Sequence, residues 1–294
     1  MKKLKYIVVD VSSLSYFYNE FDEIKLNSFF EEINEYNADK NALIYLFFGE
    51  NEGLNREKLF NGINLSYDTN KFDKDGLIKN KIKKHIDDNN LENWKIISFQ
   101  NYETKDIIAS SINSMKNFVD KNSTKFELEI DVISTKRQYA LFKIIFENNE
   151  NFKLVVNRFV FSKSYVGYVE VENPLLNIST AYNIDLIDSK INKKLNSLNL
   201  YEKFDEIENI INTIELMTVG INKNKIVNKI GEKTAIKILD EYQSLDCIYN
   251  IFDEIKINKN LNKENIKIML DCLSIMKINH NINDDIIFNI LKSK

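Results

Sequence analysis

A chain of 294 residues that is 44% hydrophobic is long enough for one large domain or two small ones around a proper core, which places it among globular proteins. Its formal net charge of −4 excludes a protein that holds nucleic acid through an overall cationic field, so any face for a phosphate backbone must be local. Only three arginines (Arg56, Arg137, Arg158) stand among 40 basic residues, a bias toward Asn, Lys and Ile that reflects an AT-rich genome and makes Asn148 to Asn151 an ordinary run.

The basic start leads into Tyr6-Ile7-Val8-Val9, a buried parallel strand in pattern, and Asp10 cuts the apolar run too short for a signal peptide. Asp10 stands at the strand's carboxyl end with Ser12 and Ser13 opening a helix, the place where an α/β sheet keeps its chemistry. Further strands are expected at Ala42 to Phe48, Trp94 to Phe99 and Leu128 to Ile133, with helical patterns between them. One of these helices runs from Asp75 to Ile86, with Leu77, Ile78, Ile82 and Ile86 on one side. Its lysines Lys79, Lys81, Lys83 and Lys84 are read as a solvated face. After the third strand, Glu103 and Asp106 are spaced by three, which puts both carboxylates on one side of a helix where Asp10 could join them. Leu154 to Val156, Phe159 to Phe161 and Tyr165 to Val171 read as strands closing the sheet edge, and Pro174 to Leu200 as a polar connection.

The most specific stretch is Ile230 to Asn250. Gly231 is expected to turn the chain into a helix whose buried face is Ala235, Ile238, Leu239 and Tyr242, and Ser244 to cap a second helix through Leu245, Ile248 and Phe252. Free N–H groups at the first helix's start could receive a DNA phosphate bridged by a cation, with Lys233 and Lys237 adding charge and Lys223, Lys225 and Lys229 nearby. Cys247 and Cys272 are expected as buried free thiols, and His85 and His280 give no zinc spacing.

Ile230-Gly231-Glu232-Lys233-Thr234-Ala235 resembles the helix-hairpin-helix of the 5′-nuclease family, the flap endonucleases and 5′-3′ exonuclease domains of bacterial DNA polymerases. The family wording is Gly-Ile-Gly-Glu-Lys-Thr-Ala, and the departure is Lys229 in place of its first glycine. Tyr102, Glu103 and Asp106 match the family's Tyr-Glu-Ala-Asp-Asp-Val-Ile, with Lys105 in place of an aspartate. Other acids of the family pattern are missing. Phe48 stands for the acid of Phe-Asp-Gly, Lys136 and Gln138 stand for the two of Ser-Gly-Asp-Lys-Asp, and Thr218 to Asn228 holds no carboxylate. Arg56 and Lys58 are relics of the basic base of the arch that such enzymes carry between the second and third strands.

The resemblance implies an α/β fold, a mostly parallel sheet flanked by helices of the PIN and 5′-nuclease kind, with residues 1–200 forming that domain and 201–294 a helical helix-hairpin-helix subdomain. It implies a protein that binds branched, flapped or nicked duplex DNA through Lys229, Gly231, Lys233, Thr234 and Lys237, with little or no cleavage. Asp10, Glu103 and Asp106 would hold one Mg²⁺ or Mn²⁺ at best, and the plainer arrangement is an internal ion-pair cluster with Lys105 and Lys136. Binding itself is expected to require no cofactor, and a monovalent cation could sit at the hairpin. The rival expectations are a weak one-metal 5′ nuclease and a structural subunit docking on a replication or transcription complex. The absence of a membrane-spanning run predicts a cytoplasmic protein.

Overall fold

The computed structural model describes residues 1–14, 23–50, 70–100, 102–135, 137–161, 166–170, 190–220, 225–255, 257–279 and 282. Six strands form one sheet: β1 (Lys2–Asp10), β2 (Leu43–Glu50), β3 (Trp94–Gln100), β4 (Phe126–Ser134), β5 (Phe152–Phe161) and β6 (Val166–Glu170). Their order is β3-β2-β1-β4-β5-β6, parallel throughout except that β6 runs antiparallel to β5. The continuous run Ile7-Val8-Val9 of β1 is what a strand covered on both faces requires, whereas β4 alternates apolar residues with Glu127, Glu129 and Asp131 before ending on Val132 and Ile133. The two apolar runs expected separately at Leu154 and Phe159 are one strand.

Among the described residues the helices of this unit are α1 (Val11–Leu14), α2 (Glu23–Asn37), α3 (Asn70–Asp88), α4 (Thr104–Lys121) and the single turn α5 (Phe142–Ile145). On one face of the sheet Ile7, Val9, Ile44, Leu46, Phe48 and Ile133 pack with Leu26, Phe29, Phe30 and Ile33 of α2 and Ile82 of α3. Alternation along the strands sends Val8, Asp10, Tyr45, Phe47, Val132 and Ser134 to the other face, which α4 covers. Each large side chain buried in these layers is worth roughly 1.5–3 kcal/mol of transfer free energy. Leu77 does not join Ile78, Ile82 and Ile86 on the packed side as expected; it is 65% exposed, because one step along a helix rotates a side chain off a stripe spaced by four.

A polar network sits inside the α2 face. Asp131 of β4 accepts from the Tyr36 hydroxyl at 3.0 Å and from the Lys40 ammonium, and Asn157 of β5 donates to Tyr36 at 2.7 Å. The Tyr36 hydroxyl thereby links α2 to β4 through Asp131 and to β5 through Asn157.

The second unit comprises Arg56–Asp68 and Glu172–Lys277, and its described residues form the helices α6 (Lys190–Asn196), α7 (Leu200–Thr218), α8 (Glu232–Tyr242), α9 (Leu245–Ile251) and α10 (Lys263–Met276). Asn199 opens α7 with a reciprocal capping box to Glu202. α6 groups with the helices, and Ile278, Asn279 and Ile282 belong to the α/β unit. Residues 174–189 of the expected connection lie outside the described residues.

Candidate metal centre and nucleic-acid interface

Parallel pairing brings the carboxyl ends of β1 to β5 to one edge, and the sequence-predicted acids gather there because Asp10 ends β1 and Glu103 immediately precedes α4. Asp10 is fully buried, and its side chain works as a local cap. Its Oδ1 accepts from the Ser13 amide at 3.1 Å, and its Oδ2 from the Ser134 hydroxyl at 3.1 Å. Ser13 donates in turn to the Asp10 carbonyl at 2.9 Å, while the Thr135 amide reaches the Ser13 hydroxyl at 3.2 Å. The Thr104 hydroxyl at the start of α4 donates to Ser12 at 3.2 Å. Asp10 thus ties β1, α1 and β4 into one hydroxyl-rich knot.

The other two acids have separate partners. Lys105, only 4% exposed, places its ammonium 3.4 Å from the Glu103 carboxylate. Asp106, also 4% exposed, accepts the amide of Asn279 on Oδ1 at 2.8 Å. Among the described residues no three His, Cys, Asp or Glu side chains are grouped to hold an ion, and Asp10, Glu103 and Asp106 each have separate partners. A divalent ion needs several carboxylate oxygens facing one space, and a two-ion centre needs more. The described side chains do not fit either. Glu103 pairs with Lys105, whereas the groups that hold Asp10 belong to Ser13 and Ser134.

Phe48 also sits differently from the place the resemblance implies. It is 1% exposed within the α2 and α3 core, and the β2 residue level with Asp10 is Phe47. Gln138 is buried in a 3-10 turn (Arg137–Leu141), whereas Lys136, Arg56 and Lys58 lie outside the described residues. Lys79 is not the solvated lysine that the sequence suggested. It is half-buried on α3 and donates to Ser98 of β3 at 2.7 Å, and burial followed by the charge of Lys83 lowers its pKa. Lys81, Lys83 and Lys84 are exposed.

In the helical unit the stretch before α8 has the expected helix entry with one exchange of roles. Lys229 adopts φ 61°, the left-handed conformation, while Gly231 is extended at φ −93° and ψ 163°, a conformation open to any residue. The turn therefore belongs to Lys229, and the expectation that Gly231 makes it is corrected. Gly231 is the N-cap without a side-chain cap, and a Cβ built on it meets nothing within 4 Å. Its carbonyl accepts from the amides of Thr234 at 2.9 Å and Ala235 at 3.0 Å, starting the helix. Lys225, Lys229, Lys233 and Lys237 are exposed around this turn; Lys223 lies outside the described residues.

Ala235, Ile238 and Leu239 face the core as expected, joined by Ile236, and Tyr242 is half-buried. Ser244 caps α9 by accepting from the Cys247 amide at 3.2 Å, with Leu245 and Ile248 buried. Cys247 itself is exposed, against expectation, because it lies two residues past Leu245 on the outer side of that short helix; Cys272 is buried, its thiol pushed up to about 12 by desolvation and then by Asp271.

No protein-family model and no curated protein matches this sequence. Solved structures do. The 5′-exonuclease of bacteriophage T5 with bound zinc superposes with a TM-score of 0.58 over 99% of both chains at 13% identity. A pseudo-enzyme form of the bacteriophage T5 flap endonuclease, in complex with product DNA and metal ions, gives 0.53 over 98% of this chain and 94% of that one, at 12% identity. At such identities the likeness speaks for architecture, and with the parallel sheet and its flanking helices it assigns this chain the 5′-nuclease fold.

Proposed function

We propose that the protein binds branched, flapped or nicked duplex DNA through a helix-hairpin-helix element at the turn before α8, and cleaves that DNA little or not at all. One observation carries the reading: the acids left at the sheet's carboxyl edge are each engaged by the protein itself. Serine and amide donors hold Asp10, Lys105 faces Glu103, and a backbone amide engages Asp106. Hydrolysis of a phosphodiester needs charge neutralised at both the attacking and the leaving oxygen, and losing that neutralisation costs several kcal/mol of barrier, roughly 10³-fold or more in rate. DNA as partner is supported by the T5 flap endonuclease complex, which contains DNA, and by the exposed lysines around Gly231.

The test is a labelled 5′-flap substrate incubated with purified protein in Mg²⁺ and then Mn²⁺, beside Asp10→Ala prepared identically. The expected result is negligible product from both, together with retained flap binding by the wild type. Product that forms with wild type and vanishes with Asp10→Ala overturns the reading in favour of a one-metal nuclease. Loss of binding with no product points instead to a subunit that docks on other proteins.

A further inference from the structure

Asp106 and Ser110 stand one turn apart on α4 and are 4% and 1% exposed. Asp106 Oδ1 accepts from the Asn279 amide at 2.8 Å. The Ser110 hydroxyl donates to the Asn279 carbonyl at 3.2 Å and accepts from the Ile282 amide at 3.1 Å, so its one proton and a lone pair are both used. Three backbone groups of a segment far downstream in the chain are thereby fixed to two consecutive turns of one helix. Ile278 and Ile282 are themselves buried, 7% and 5% exposed.

We infer that Asp106 is a positioning residue, the upper jaw of an Asp106–Ser110 clasp that anchors the chain's return to the α/β unit after α10. The inference rests on the reading that the edge acids no longer serve catalysis, and it gives one of them a present task. The clasp uses the carboxylate as a hydrogen-bond acceptor. An amide oxygen in the same place can accept the same bond, whereas a metal ligand depends on charge.

The chemistry therefore separates the two roles by substitution. Amide hydrogen exchange of Asn279 and Ile282 is measured in full-length wild type, Asp106→Ala, Asp106→Asn and Ser110→Ala, each with and without Mn²⁺. Loss of an acceptor for a buried amide is expected to speed exchange about 10- to 100-fold in Asp106→Ala at Asn279 and in Ser110→Ala at Ile282. Asp106→Asn should keep wild-type protection, and Mn²⁺ should leave the wild type unchanged. Release of the segment in Asp106→Asn, or displacement of the Asn279 amide by Mn²⁺, overturns the inference. If Asp106→Ala fails to fold, Ser110→Ala and Asp106→Asn still decide it. Flap binding in the same samples reads the DNA proposal separately, since its lysines lie on α8; binding can fail while the clasp holds, and the reverse.

Discussion

Lys229 carries the left-handed turn into α8 at φ 61°, and Gly231, two residues on, carries none at φ −93°. A left-handed non-glycine residue costs roughly 1–2 kcal/mol, and glycine there gives back part of that gain through its freer unfolded state. Lys229→Gly is therefore expected to raise stability by less than about 1 kcal/mol in chemical denaturation. Gly231→Ala should change stability by less than about 1 kcal/mol in either direction, because the added methyl meets open space and stiffens the unfolded chain while alanine is a poorer N-cap than glycine. If a phosphate backbone approaches that open space, the same methyl should weaken flap binding. Unchanged binding by Gly231→Ala would remove the reason for a glycine there.

Charge at the same turn gives a second expectation. Lys233 and Lys237 are exposed and one turn apart. Lys233→Glu with Lys237→Glu should weaken binding to flap and nicked duplex across sequences, and flatten the plot of log affinity against log salt by about 0.9 for each phosphate that is no longer neutralised. Equal affinity and slope in the double variant would make the turn a structural element only.

Much of the fold was legible because it depends on local periodicity. Tyr6 to Val9 and Leu128 to Ile133 read as buried parallel strands, Ala235, Ile238 and Leu239 as one helical face, and Ser244 as a cap, and each is so. The candidate site was less legible, because its side chains are engaged by groups from elsewhere in the chain. Ser134 reaches Asp10 across 124 positions and Asn279 reaches Asp106 across 173, pairings that no window of residues reveals. Motif wording also located Phe48 without its side: alternation turns it away from Asp10.

That orientation makes the return of an acid at this position uninformative about metal and costly to the fold. Phe48→Asp removes a ring that is 1% exposed and leaves a carboxylate among Phe29, Phe30 and Ile82. The missing ring alone is worth about 3–5 kcal/mol of packing, before the desolvation of a charge, against a typical domain stability of about 5–15 kcal/mol. The variant should express poorly or melt far below wild type, and Mn²⁺ should not rescue it. A stable, Mn²⁺-responsive Phe48→Asp would place the side chain on the Asp10 face.

The network at Asp131 predicts alkaline behaviour. Burial first, then the charge of Asp131, pushes the Tyr36 phenol up from 10.0 to about 12. A folded pKa above the unfolded one favours the neutral phenol in the native state, so its contribution is complete below pH 10.0 and fades as pH rises through about 12. Hydrogen bonds to Asp131 and Tyr36 hold the Lys40 ammonium in its charged form despite burial, and its contribution fades in the same direction. Phenolate absorbance of the folded protein should show Tyr36 silent until the strongly alkaline limb. Tyr36→Phe should lose about 1–3 kcal/mol, since Asn157 and Asp131 each lose a partner. An early-titrating Tyr36 would contradict the network.

The Glu103 and Lys105 pair at the sheet edge carries an energetic prediction. Lys105 is 4% exposed with its ammonium 3.4 Å from a carboxylate that is itself 20% exposed, so the lysine bears the larger desolvation cost. Removing the carboxylate by Glu103→Gln leaves a buried ammonium short of one counter-charge, at a cost of roughly 1–3 kcal/mol. Lys105→Met keeps the length of the side chain and removes the charge, so the double variant should recover much of that loss. A double-mutant cycle by denaturation, run with and without Mn²⁺, measures the coupling directly. With the ammonium in place, Mn²⁺ should leave wild-type stability unchanged, and a crystal soaked in it should show no ion between Asp10 and Glu103. Additive single effects would deny the pair any energetic role, and an ion bound there would return the edge acids to metal chemistry.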